Sequence, residues 1–219
     1  MSLNIELARR NMIEQQVRPW DVLESRVLEA LTAVRREDFV PPGCRNLAFA
    51  DLCLPLGHDE VMMKPVVEGR VLQAVLPSRA ESVLEIGTGS GFMTACLARL
   101  GGEVLSVDVR ADFVEGARHR LLAANVRNAK LEVADAVQAF DPGRQFDVMV
   151  VTGAVHELPR HWRGWIKPGG RLFAITGLSP VQHAMLFTRT GESDWHEQAL
   201  FETDLPYLSH AAPPKRFAL

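Results

Sequence analysis

Residues 83–92, VLEIGTGSGF, set three glycines at alternate positions, Gly87, Gly89 and Gly91, behind an acid, Glu85. Glycine serves where a backbone must turn sharply and where a ligand must approach main-chain amides with no Cβ in the way. The spacing is ExGxGxG, not the GxGxxG of pyrophosphate-binding loops, which disfavours a nicotinamide dinucleotide. Asp108 closes the next apolar run, EVLSVD. An acid about twenty residues after such a loop can accept hydrogen bonds from both hydroxyls of a ribose, so the pair points to an adenosine-containing ligand. Asp135 in VADA and the stretch VTGA, residues 151–154, end two further runs and belong at the same edge. Singly, these features also read as a plain turn, a helix cap and a solvated aspartate; together they favour a nucleoside site. Glu85 either touches the ligand or orients the amides of the loop.

A second stretch, GHDEVMMKP (57–65), sets Met62 and Met63 in front of a proline. Paired methionines are commonly core filler, and they also suit the lip of an apolar pocket. Lys64 is either a counter-charge for an acidic acceptor or a solvated lysine, and His58 either a substrate contact or a structural histidine. HELPRH (156–161) superficially matches a zinc-protease helix, but its histidines stand five apart with Pro159 between them, so no metal site is expected.

These residues need a scaffold. From Ser82 onward short apolar runs (SVLEI, EVLSVD, KLEVA, FDVMVV, GRLFAIT) alternate with helical segments over 90–100 and 111–125. That alternation predicts an α/β fold: a doubly wound, mostly parallel sheet with helices on both faces, binding its ligand at the carboxyl ends of the strands. VQHAMLFTRT, GESD and WHEQALFETD predict an antiparallel hairpin at the C-terminal edge. The first third reads as a helical extension. One helix is expected over 5–16, a second opened by an Asp21–Glu24 capping box and ending before Pro41 and Pro42, and a third starting at Pro65. The chain is read as one domain, residues 1–78 forming the helical and substrate-side part and 79–219 the cofactor-binding core. HAAPPKRFAL at the end has the composition of a loose tail.

Bulk properties narrow the partners. With 219 residues and 47% hydrophobic content, the chain can bury a substantial core. A formal charge of -3 offers no basic surface for nucleic acid, and no apolar run approaches membrane-spanning length. No signal-peptide core is visible, so a cytoplasmic location is expected. Cys44, Cys53 and Cys96 are odd in number and form no CxxC pair, which argues against a disulfide framework.

The glycine loop, the acids after the second and third strands and KPGGRLFAI before the fifth are together similar to the S-adenosylmethionine-dependent methyltransferase pattern. RREDFVPPGCRNLAFADLCLPLGH, Pro65, IGTGSGFMTACLARL and LPYL (205–208) resemble the protein-L-isoaspartate O-methyltransferase family over nearly the whole chain. The resemblance implies a Rossmann-like methyltransferase fold. It implies S-adenosyl-L-methionine as cofactor, S-adenosyl-L-homocysteine as its product, and a protein or peptide carrying isoaspartate as substrate. Its methyl ester would permit succinimide formation and repair. Carried onto this chain, Glu85, Gly87, Thr88, Gly89, Ser90, Gly91 and Val109 hold the cofactor, Asp108 its ribose, Asp135 and Ala136 its adenine, and Val61, Met62 and Met63 line the methyl-transfer side.

Where the family reads threonine, isoleucine and an active-site serine, this chain has Val61, Met62 and Met63. An acceptor carboxylate with a pKa near 4 is already ionised at neutral pH, so transfer needs placement and desolvation, not a general base. Loss of one orienting hydroxyl costs on the order of 10² to 10³ in rate, by analogy with lost oxyanion donors. The alternatives to isoaspartate methylation are methyl transfer to a different acceptor and a non-catalytic cofactor-binding protein.

Overall fold

SVLEI carries β-branched and long apolar side chains, and strand β3 (Ser82–Ile86) is accordingly buried at every position, in the interior of the main sheet. The structure, a computed structural model, describes residues 4–214. The seven-stranded sheet also contains β4 (Glu103–Asp108), β5 (Ala129–Val133), β6 (Phe146–Val155), β7 (Ile166–Leu178), β8 (Val181–Arg189) and β9 (Trp195–Thr203). Their order is β5-β4-β3-β6-β7-β8-β9. Pairings from β5 through β7 are parallel, and β8 and β9 add the antiparallel edge expected from their hairpin. The chain runs outward from β3 through β4 to β5, then returns to pair β6 on the other side of β3. Strand order therefore reverses at β3 and β6, and a crevice opens at their carboxyl ends.

Helices α1 (Ile5–Met12), α2 (Ser25–Ala33), α3 (Pro65–Val75), α4 (Phe92–Leu100) and α5 (Ala111–Ala123) contribute to one buried cluster with Val83, Val148, Val150 and Phe173 of the sheet. Leu84, Ile86, Val107, Met149 and Val151 belong to a second cluster, completed by Trp162 and Trp165 of the short 3-10 helix Arg160–Trp165. Two indoles of this short helix thus pack against that face of the sheet.

Three expectations change. The capping box is not formed: Asp21 lies in the left-handed region at φ 58, and Glu24 caps α2 through its own side chain, accepting from the Arg26 amide. The amino-terminal third is not wholly helical, because Leu54–Gly57 (β1) and Glu60–Met62 (β2) form an antiparallel hairpin. Its turn residues His58 and Asp59 both take positive φ, a backbone that Asp tolerates better than most residues but that lacks the usual Asn-Gly signature. Finally, the start of the expected tail is held in place: Ala211 is buried and its carbonyl accepts the His156 amide. Residues 215–219 lie outside the described residues. No helix among those described is long and apolar enough to cross a membrane.

Candidate nucleoside and methyl-transfer site

The glycine loop leaves β3 at the reversal point. Gly87 takes φ +96, and a Cβ there would lie 2.3 Å from Thr152 Oγ1, so the position admits only glycine. Gly91, also expected to hold the ligand, does not line the crevice. It is the left-handed N-cap of α4, and a Cβ there would lie 2.9 Å from the Cβ of Ala117 of α5. Its role is helix packing.

Glu85 of β3 lies beneath the loop. It is fully buried and lines neither part of the crevice. Thr94 of α4 donates to Oε2, while Oε1 has no partner among the described residues. Burial pushes the carboxyl up to about 8, against the opposing hydrogen bonds of Ser106 and Thr94. A neutral acid therefore sits beneath the loop, tying β3 to α4. Thr88 joins the same layer through Ser106, their hydroxyls 2.7 Å apart.

Asp108, at the end of β4, accepts the Gly89 amide at 2.9 Å through Oδ2 and the Arg110 amide at 2.9 Å through Oδ1. Burial raises its pKa, opposed by those amides. A carboxylate has about four lone-pair positions, so two remain for a diol. Glu60 of β2 stands beside it, accepting from Arg110 Nε at 3.2 Å, its own pKa also raised by burial.

The crevice has two compartments that share Glu60, Gly87, Asp108 and Leu208. The larger, about 600 Å³, is walled by Val61, Met62, Met63, Thr88, Gly89, Ser90 and Met93. The smaller, about 350 Å³, is walled by Val109, Asp135, Ala136 and Val137. Asp135 accepts from the Val137 and Gln138 amides through Oδ1 and meets His210 Nδ1 at 2.6 Å through Oδ2. The Ala136 carbonyl accepts from Trp162 Nε1 at 2.8 Å. The lining fits a nucleoside with a sulfur-bearing side chain: a diol acceptor at the junction, a smaller compartment beyond it walled by Val109, Ala136 and Val137, and the glycine loop with thioethers on the other side.

Several lining residues escaped the sequence reading. Glu60 was hidden because the hairpin that presents it was not anticipated. Leu208 arrives from the far end of the chain, in a segment pinned to β6 by hydrogen bonds between Ala154 and both Pro206 and Leu208. Its side chain packs where Gly153 has no Cβ. Glu68 of α3 lines the larger compartment and is clasped by Arg36, a fully buried residue whose Nη2 also donates to the Met63 carbonyl at 2.8 Å. Lys64 is exposed and lines neither compartment. His58 turns outward to Asp112 at 3.0 Å, and the histidines of HELPRH lie in a strand-end turn and a 3-10 helix.

The model of the family Protein-L-isoaspartate(D-aspartate) O-methyltransferase (PCMT) matches residues 8–204. A protein-L-isoaspartate O-methyltransferase of Burkholderia lata is 34% identical over 202 residues, which are 91% of this chain and 65% of that protein. One from Burkholderia mallei is 34% identical over 202 residues, again 91% of this chain and 62% of its own. The chain thus spans less than two thirds of the length of these curated relatives. Among solved structures, a Plasmodium falciparum protein in complex with S-adenosyl-L-homocysteine superposes with a TM-score of 0.79 at 16% identity, covering 94% of this chain and 99% of that one. A protein-L-isoaspartate O-methyltransferase superposes at 0.76 and 23% identity, covering 91% and 65%. Both share the Rossmann-like methyltransferase fold.

Proposed function

The chain belongs to the protein-L-isoaspartate(D-aspartate) O-methyltransferase family, and from that premise we propose that it is a cytoplasmic, S-adenosyl-L-methionine-dependent enzyme that methylates the carboxylate of isoaspartyl residues in proteins or peptides. The observation that carries this reading is the continuity of the two compartments through Asp108, Gly87 and Leu208. A ligand long enough to occupy both must cross the Asp108 carboxylate midway, as a nucleoside with an amino-acid side chain on its sugar would.

When bound, the cofactor supplies a methyl group on a positively charged sulfur. Asp108 holds the sugar, its carboxylate pre-oriented by two backbone amides. Asp135 and Ala136 wall the base, and the loop from Gly87 to Ser90 faces the amino-acid portion. Met62, Met63 and Met93 keep water from the transfer side, where a desolvated carboxylate is the better nucleophile. No proton has to move, because the acceptor is already ionised at neutral pH. Calorimetric titration with S-adenosyl-L-homocysteine followed by transfer of labelled methyl to an isoaspartyl peptide tests the reading. Saturable binding with ester formation is expected; binding without ester would overturn the acceptor assignment, and no binding would overturn the cofactor assignment as well.

A further inference from the structure

A carboxylate acceptor brings negative charge into the larger compartment, yet among the described residues no lysine or arginine lines it. Most of its hydroxyls are engaged elsewhere. Thr88 pairs with Ser106, Thr152 donates to the carbonyls of Ile86 and Gly87, and Tyr207 donates to the Gly177 carbonyl at 3.0 Å. Ser90 belongs to the glycine loop, and Met63 offers only a thioether. Besides Ser90, those engaged hydroxyls and the carboxylates of Glu60 and Asp108, the polar side chain that lines the compartment is Glu68, one turn into α3.

Glu68 is 1% exposed and still lines the compartment. Arg36 Nη1 donates to its Oε2, whereas Oε1 has no hydrogen bond from the described residues and is not among their closed-off, unpartnered atoms. Glu68 thus has one carboxyl oxygen left for a ligand at the wall of the compartment. Arg36 is itself fixed, donating to the Ala48 carbonyl at 2.8 Å and the Met63 carbonyl at 2.8 Å, with its guanidinium 5.0 Å from the centroid of the Phe92 ring. One buried cation thus sets the position of both Glu68 and the Met63 backbone.

We propose that Glu68 is a specificity-determining residue for the methyl acceptor: carrying its proton, it donates a hydrogen bond to the acceptor carboxylate from a wall where Met63 has no donor. The inference rests on the methyl-transfer reading above. Burial pushes the Glu68 carboxyl up to about 7, opposed by Arg36 and reinforced by the charge of Asp51. The groups that bear on this proton are Arg36, Asp51 and the Cys53 and Cys96 thiols, with Glu60 and Asp108 lining the same compartment. An incoming carboxylate can accept that proton's hydrogen bond, but it is repelled once the proton has gone.

The test is calorimetric titration of an isoaspartyl peptide into the protein saturated with S-adenosyl-L-homocysteine, at pH 6 and pH 8, with methylation kinetics in parallel. The parent, Glu68→Gln and Glu68→Ala are compared, and each is first titrated with S-adenosyl-L-homocysteine to report the fold and the cofactor site. For the parent, peptide affinity falls roughly tenfold between the two pH values as one proton is lost, and KM follows it more closely than kcat. Glu68→Gln, whose amide donates at both pH values, binds peptide equally at each, and Glu68→Ala binds weakly at each. A flat parent profile, or Glu68→Gln behaving like Glu68→Ala, overturns the proposal while leaving methyl transfer standing. A parent that binds S-adenosyl-L-homocysteine but neither binds nor methylates the peptide overturns both. Should Glu68→Ala not fold, the parent profile and the glutamine variant decide.

Discussion

Thr152 Oγ1 donates to the Gly87 carbonyl and lies 2.3 Å from where a Cβ on Gly87 would project. The ends of β3 and β6 are thereby closed on each other at the point where the sheet order reverses, and the glycine loop starts from a fixed position. Gly87→Ala is expected to cost about 1–3 kcal/mol through its positive φ and the clash. S-adenosyl-L-homocysteine affinity should fall roughly 5- to 100-fold as the loop carries the same strain, 1.4 kcal/mol being a factor of about ten. Adding Thr152→Ala relieves the clash but not the backbone strain, so the double variant should recover part of both losses, measured by urea denaturation and calorimetry.

Asp108 holds two backbone amides and has lone pairs left for a ligand diol. Asp108→Asn keeps the shape, loses the charge and turns one acceptor into a donor facing an amide. Hydrogen bonds to charged groups contribute about 1.5–3 kcal/mol, so S-adenosyl-L-homocysteine affinity should fall ~10- to 100-fold. An unchanged dissociation constant would remove Asp108 from the ribose site.

Glu85 makes stability depend on pH in a direction opposite to that of a salt-bridged acid. Its carboxyl is pushed up to about 8 in the folded chain, from an ordinary value of 4.5. The folded state keeps a proton that the unfolded state releases, so the contribution is fully present below about pH 4.5 and is lost progressively as pH rises to about 8. Asp147, Glu81 and Glu37, whose pKa values are lowered, favour the opposite trend at acid pH. The informative quantity is therefore the difference from Glu85→Gln, which cannot ionise. Relative to the parent, that variant should gain stability steadily from pH 5 to pH 8 in urea unfolding, and a parallel pair of curves would refute the assignment.

Trp162 is fully buried, and its indole N–H holds the Ala136 carbonyl from behind the smaller compartment. Trp162→Phe keeps most of the packing and removes that hydrogen bond, leaving His161 Nε2 at 3.2 Å from the same oxygen. Stability should fall by about 1 kcal/mol. Affinity for adenosine and for S-adenosyl-L-homocysteine should weaken by the same factor, roughly three- to tenfold, because the loss is confined to the base subsite.

Strand identities in the core, the C-terminal hairpin, the loop at 87–91 and the acid at Asp108 could all be read before any coordinates, because periodicity and glycine spacing are written within ten or so neighbouring residues. The same reading left Glu85 between touching the ligand and orienting the loop, since spacing shows that a residue is near a loop but not which way its side chain faces. The β1–β2 hairpin was missed because its turn uses His58 and Asp59 without the usual glycine. Packing alone brought Leu208 over Gly153 and set Arg36 between Met63 and Glu68. Burial, desolvation and pairing arise between segments far apart in the chain. Linear order carries the types of those groups, and only the closed fold decides which of them meet, which are cut off from water, and which remain open to a ligand.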